Sequence, residues 1–246
     1  MSKNRWILCN DVNPEARIRL LCFPFAGGGT LPYRKWGSGL PSSVEVCSVL
    51  LPGRGSRLSE PPIHDLPTMT EQITVNVVPL LDKPIVFFGH SMGAMLAFET
   101  ARALRRRGCP LPQLMFLSGC GAIHRPSTYG PMSHLSDDDL IAELNSRFQQ
   151  IPPKMVQHKA LRKMILPMLR GDMTAVDNYV YQDEPPFNMP IVTFGGVEDG
   201  ISAESLIEWA QHTTGSAEHH MLPGGHFFIN SARTQLLETM SCYLKR

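Results

Sequence analysis

The chain has 246 residues, 43% hydrophobic and 18% charged, with 23 basic against 22 acidic side chains and a formal net charge of +1. That balance excludes the clustered basic excess a nucleic-acid backbone requires, and no apolar run approaches the roughly 20 residues that span a bilayer. The amino-terminal MSKNRWILCNDVNPEAR carries no apolar stretch of signal-peptide length, and no linker or repeat divides the chain, so we expect one domain, soluble, monomeric and cytoplasmic.

Short apolar or β-branched runs recur at 18–23, 44–51, 85–88, 114–117, 191–194 and 219–222. Most are continuous rather than alternating, as in strands buried on both faces of a parallel sheet. Between them lie helical patterns. The clearest is 92–107, where Met95, Leu96, Ala97, Phe98, Ala101 and Leu104 form one broad apolar face and Gly108 follows as a stop. Strand alternating with helix predicts an α/β fold with helices on both faces of the sheet. The rhythm breaks between 125 and 190. There Ser136 with Asp139 reads as a helix-start box, a second helix is expected over 155–170 with Pro167 kinking or ending it, and a third over 174–181. This stretch holds six of the thirteen methionines, a residue suited to surfaces that adapt to varied apolar ligands. Extra helices that only thicken the core are the alternative.

The chemistry centres on Gly89-His90-Ser91-Met92-Gly93, a G-x-S-x-G motif between a predicted strand, Ile85-Val86-Phe87-Phe88, and a predicted helix from Ala94. Such a strand-to-helix turn exposes a serine oxygen and aims helix N-terminal N–H groups at charge developing beside it. A nucleophilic serine needs a base, and the base an orienting carboxylate, in the chain order Ser, acid, His. Late in the chain stand His158, His212, His219, His220 and His226. His226, in Leu222-Pro223-Gly224-Gly225-His226 just past the last predicted strand, is the chosen base, with His219 and His220 as alternatives. For the acid, Asp199 ends the loop after 191–194, and Glu198 is the alternative. His90 is read as structural. The second oxyanion donor is expected from the glycine-rich loop Phe23-Pro24-Phe25-Ala26-Gly27-Gly28-Gly29, pairing the Met92 N–H with that of Ala26 or Phe25. That loop matches neither G-x-x-x-x-G-K-S/T nor G-x-G-x-x-G, so nucleotide binding is not expected.

The six cysteines, Cys9, Cys22, Cys47, Cys109, Cys120 and Cys242, form no CxxC pair and have no His at ligand spacing. They read as small core residues rather than a zinc site or disulfide frame. Arg105-Arg106-Arg107 reads as a solvated helix end complementing the helix dipole, about 20 Å from Ser91 at 1.5 Å per residue.

Four motifs in order resemble those of the type II thioesterases that serve polyketide, non-ribosomal peptide and fatty acid synthases: Cys22-Phe23-Pro24-Phe25-Ala26-Gly27-Gly28-Gly29, Leu51-Pro52-Gly53-Arg54-Gly55-Ser56-Arg57, Phe88-Gly89-His90-Ser91-Met92-Gly93 and Leu222-Pro223-Gly224-Gly225-His226-Phe227. The acid loop departs from the family pattern, with Gly200 where a proline is common. The resemblance implies an α/β-hydrolase fold whose helical lid spans 125–190. It further implies hydrolysis of acyl thioesters on the phosphopantetheine arm of acyl or peptidyl carrier proteins, clearing stalled or misprimed chains or releasing fatty acids. No metal or organic cofactor is expected, the phosphopantetheine belonging to the substrate. Arg54 and Arg57 are read as pairing with carboxylates and holding their loop rather than binding that phosphate. Two other readings use the same residues: a general carboxylesterase or lipase, and a binding protein on a hydrolase-like fold without catalysis.

Overall fold

A computed structural model describes residues 4–9, 13–148 and 158–245. Its strands are β1 (Ile7–Cys9), β2 (Ile18–Phe23), β3 (Val44–Val49), β4 (Ile85–His90), β5 (Leu114–Ser118), β6 (Ile191–Gly196) and β7 (Ala217–Leu222). They form one sheet in the order β1-β3-β2-β4-β5-β6-β7, parallel throughout except for β1, which runs antiparallel to β3. Its helices are α1 (Leu66–Val77), α2 (Met92–Arg106), α3 (Asp137–Phe148), α4 (Lys159–Asp177), α5 (Ala203–Ile207), α6 (Phe228–Ser231) and α7 (Arg233–Leu244). None of the described helices is long and apolar enough to cross a membrane.

Every residue of β4 and β5 is buried, which is why these runs are continuously apolar. The two-residue repeat of a strand then sorts side chains into two cores. Leu21, Phe23 and Phe87 pack toward Leu66, Ile73, Leu96 and Leu104 of α1 and α2. Leu20, Cys22 and Phe88 pack toward Trp36, Leu236 and Met240 on the opposite side.

Between β5 and β6 the chain leaves the sheet and builds α3 and α4. These close a third, smaller core in which Met132, Leu140 and Leu144 meet Leu166, Leu169 and Met173. Ser136 Oγ accepts the Asp139 N–H at 3.2 Å, satisfying one of the first-turn donors of α3. The expected second and third helices are one helix, α4, which continues through Pro167. Pro167 is exposed while Leu166, Met168 and Leu169 are buried, so the carbonyl its missing N–H releases lies toward water. Residues 155–157 of the expected second helix lie outside the described residues.

One further expectation is corrected. Cys9 and Cys47 form a disulfide, because the antiparallel β1–β3 register sets them directly opposite each other. The arginine triplet ends α2 with Arg106 and Arg107 exposed, as expected, and it also forms ion pairs: Arg105 and Arg106, with buried Arg102, converge on Glu184, and Arg107 pairs with Glu71. The end of α2 thus clamps the chain returning to β6.

Candidate active site

β4 ends at His90, and the chain turns into α2 through Ser91 at φ 56°, ψ −122°. Ser91 is the one non-glycine with positive φ among the described residues, a conformation costing about 1–3 kcal/mol that surrounding structure must impose. Its N–H donates to Ser118 O at 2.8 Å on β5, and its carbonyl accepts the Ala94 N–H at 2.9 Å. The flanking glycines are a steric requirement: a Cβ on Gly89 would lie 2.0 Å from Gly93 O, and one on Gly93 2.4 Å from Phe23 O. The G-x-S-x-G spacing is therefore the print of backbone crossing backbone at the elbow.

Ser91 and His226 both line a cavity of about 660 Å³. His226 Nδ1 is 2.8 Å from Asp199 Oδ2, and the two side chains are 4% and 1% exposed. With Nδ1 engaged by the carboxylate, Nε2 is the ring nitrogen left for chemistry at the cavity. Burial alone would raise the Asp199 pKa, but hydrogen bonds from His226 and Tyr129 outweigh it and hold the carboxyl below its ordinary range. Glu198 is exposed. His219 is exposed on β7, and His220 stacks on Phe194 and bonds the Tyr243 hydroxyl at 2.8 Å. His90 is fully buried, with Nδ1 3.0 Å from Ser118 Oγ. Burial, and then the neighbouring His226, push its pKa well down, leaving a neutral ring beneath the site.

Met92, Phe25 and Ala26 line the same cavity. As the first residue of α2, Met92 has an N–H without an intrahelical acceptor. The loop after β2 is tied down on its other side. Gly27 N–H donates to Asp172 Oδ2 at 2.7 Å, and Gly28 N–H to Phe25 O at 2.8 Å. Asp172, fully buried on α4, accepts two bonds from Arg54 at 2.7 and 2.8 Å, while Arg54 Nη1 also reaches Gly28 O at 2.9 Å. Arg54 thus pairs with a carboxylate and holds its loop, as expected, and Arg57 does so through Glu60 and Leu50 O.

Asp172, Tyr129 and Phe148 were not anticipated from sequence. Asp172 left a signal, a carboxylate interrupting the apolar face that carries Leu169, Met173 and Val176, where a buried acid implies a buried cation. Tyr129 and Phe148 left none. Of the six methionines, Met132 and Met173 line the cavity, Met168 packs in the third core, Met189 joins the main core and Met164 is exposed, while Met155 lies outside the described residues. Among the described residues one group has ligands close enough for a metal, Cys9, Glu45 and Cys47, but its two sulfurs are joined to each other and offer no thiolate.

A largely parallel sheet, a strained serine elbow at the end of a central strand and a His–carboxylate pair on later loops define an α/β-hydrolase. Within that class, the chain belongs to the thioesterase domain family, which matches residues 18–243. It is 35% identical to the gramicidin S biosynthesis protein GrsT of Aneurinibacillus migulanus, over 98% of this chain and 94% of that protein. Among solved structures, the RedJ thioesterase of the prodiginine pathway in Streptomyces coelicolor superposes with a TM-score of 0.86 at 34% identity, covering 94% of this chain and 90% of that one. BorB, the type II thioesterase of the borrelidin cluster, gives 0.86 at 30% identity and covers 99% of each chain. The chain is accordingly a thioester hydrolase of the type II thioesterase kind.

Proposed function

We propose that this enzyme removes acyl groups from the phosphopantetheine arm of acyl or peptidyl carrier proteins through an acyl-enzyme on Ser91. Ser91 Oγ attacks the thioester carbonyl as His226 Nε2 takes its proton, and Asp199 holds the imidazole and stabilises its charged form. The oxyanion is met by the N–H of Met92 and that of Ala26 or Phe25. The C–S bond breaks, the sulfur takes the proton from His226, and water repeats the sequence to release the carboxylic acid and free Ser91. A thiol of pKa about 8.5 is a good leaving group, so this step asks less of His226 than an alcohol or amine would. The segment between β5 and β6 serves as a lid over the acyl chain, with Met132 and Met173 on its cavity face.

The observation that carries the reading is that the strained Ser91 and His226, itself paired with Asp199, line one cavity roofed by α3 and α4. The kinship with carrier-dependent pathways supports the choice of substrate. The test is mass spectrometry of carrier protein loaded with different acyl groups, incubated with wild type and with Ser91→Ala. Unloading by wild type alone is expected. Unloading that persists in Ser91→Ala refutes the nucleophile, and turnover of simple oxygen esters without unloading refutes the carrier.

A further inference from the structure

We infer that Tyr129 is a positioning residue for the acid of the site: its hydroxyl fixes Asp199 Oδ1 so that Oδ2 faces His226, and Gly200 is the residue that makes room for it. This rests on the reading of Ser91, His226 and Asp199 as the reacting groups.

A carboxylate's terminal torsion is broad and roughly two-fold, so one hydrogen bond does not fix its plane. In Asp199 each oxygen has its own donor. His226 Nδ1 holds Oδ2 at 2.8 Å, and the Tyr129 hydroxyl donates to Oδ1. The carboxylate is 1% exposed, which leaves water little access to either oxygen. Burial and then the adjoining carboxylate push the Tyr129 pKa far up, so the phenol stays a donor.

Tyr129 is itself fixed. Its ring meets Phe148 edge-on at 4.7 Å, and its carbonyl accepts from Arg147, both on α3. Phe148 in turn lies over His226 at 4.6 Å. One segment therefore touches both the acid and the base. Gly200 supplies the complementary fact. A Cβ there would lie 3.1 Å from Tyr129 Cε1 and 3.2 Å from its hydroxyl oxygen, so the phenol would have to give by a few tenths of an ångström.

The charged and titratable groups around the pair are His226 against Asp199, His90 beside His226, Arg147 over the Tyr129 ring and exposed Glu198 next in chain. Removing the hydroxyl leaves the Asp199 charge with one donor fewer and more of it directed at the imidazole, so the low-pH loss of activity begins at higher pH. The test measures kcat and KM on an N-acetylcysteamine acyl thioester, and the pH dependence of fluorophosphonate labelling at Ser91. Tyr129→Phe, which keeps the ring contacts, is expected to lower kcat about tenfold with KM within about twofold, and to move the low-pH loss of labelling upward by about half a unit. Gly200→Ala shifts both in the same direction, and adds nothing in the Tyr129→Phe background. A Tyr129→Phe enzyme with wild-type kcat and an unmoved low-pH limb overturns the assignment, as do fully additive effects of the two substitutions. A wild type that is not labelled at Ser91 fails differently, by removing the reading of the site itself.

Discussion

Replacing Asp172 by Asn tests whether the helical segment holds the loop after β2 by charge. The carboxylate is 0% exposed and takes three donors, two from Arg54 and one from the Gly27 N–H, all between 2.7 and 2.8 Å. Asparagine keeps the shape but removes the charge, leaving the guanidinium of Arg54, 4% exposed, as an uncompensated buried cation. Breaking a buried pair from one side costs about 3–5 kcal/mol. At roughly 2–4 °C per kcal/mol for a chain of this size, Tm should fall by about 6–20 °C, measured by scanning calorimetry or from the urea midpoint. Arg54→Met should cost a similar amount. The double variant Arg54→Met, Asp172→Leu should lose less than the sum of the singles, because no orphaned charge remains, although the Gly27 N–H still lacks its acceptor at about 1–3 kcal/mol. A loss below about 1 kcal/mol in Asp172→Asn, or strict additivity in the double, would show that the pair does not hold the loop.

The strain at Ser91 gives a second prediction: Ser91→Gly, which tolerates the φ of 56°, should be more stable than Ser91→Ala by about 1 kcal/mol while both are inactive. Equal melting temperatures of the two would remove the claim of strain. A third concerns pH. Burial would raise the Glu184 pKa, but Arg102, Arg105 and Arg106 outweigh it and bring it down to about 2. A depressed carboxyl stabilises the fold above its unfolded pKa of about 4.5, and that contribution fades as pH falls toward 2. Glu184→Gln should therefore be less stable at neutral pH, by about 1–2 kcal/mol once solvent screening at this partly exposed site is allowed for. The gap should close in acid, and a difference that stays constant from pH 7 to 2.5 would place the effect elsewhere.

The parallel strands were legible because burial on both faces wrote them as unbroken apolar runs, and the elbow because a Cβ at 89 or 93 would fall 2.0 or 2.4 Å from a backbone oxygen, which admits only glycine there. The edge strand β1 was not. It has three residues, of which Leu8 and Cys9 are only partly buried, and with it went the disulfide, since Cys47 has no visible partner until β1 lies beside β3. Pro167 misled because local chemistry predicts a break, whereas Leu166, Met168 and Leu169 bury enough apolar surface to carry α4 through it. Sequence favours Asp199 over Glu198 only by its shorter side chain and later loop position, and the structure separates them by burial. Tyr129 stood in a stretch of Ser, Thr, Gly and Pro without periodicity, and its partner is 70 residues away. Only the folded chain brings them together.

The helical segment leaves the sheet after β5 and rejoins it at β6, and these two strands are neighbours and parallel. A parallel pair requires a crossover of some kind, so this excursion replaces a connection that had to exist. Lengthening a connection costs entropy only logarithmically. The shape of the chamber can thus be redrawn by exchanging this one stretch, with the strands and the elbow untouched. Two tethers limit the freedom: whatever stretch is grafted must still present a hydroxyl to Asp199 and a carboxylate to Arg54 and Gly27. A transplanted segment lacking them would enclose a new volume over a frame that no longer holds its reacting groups in register.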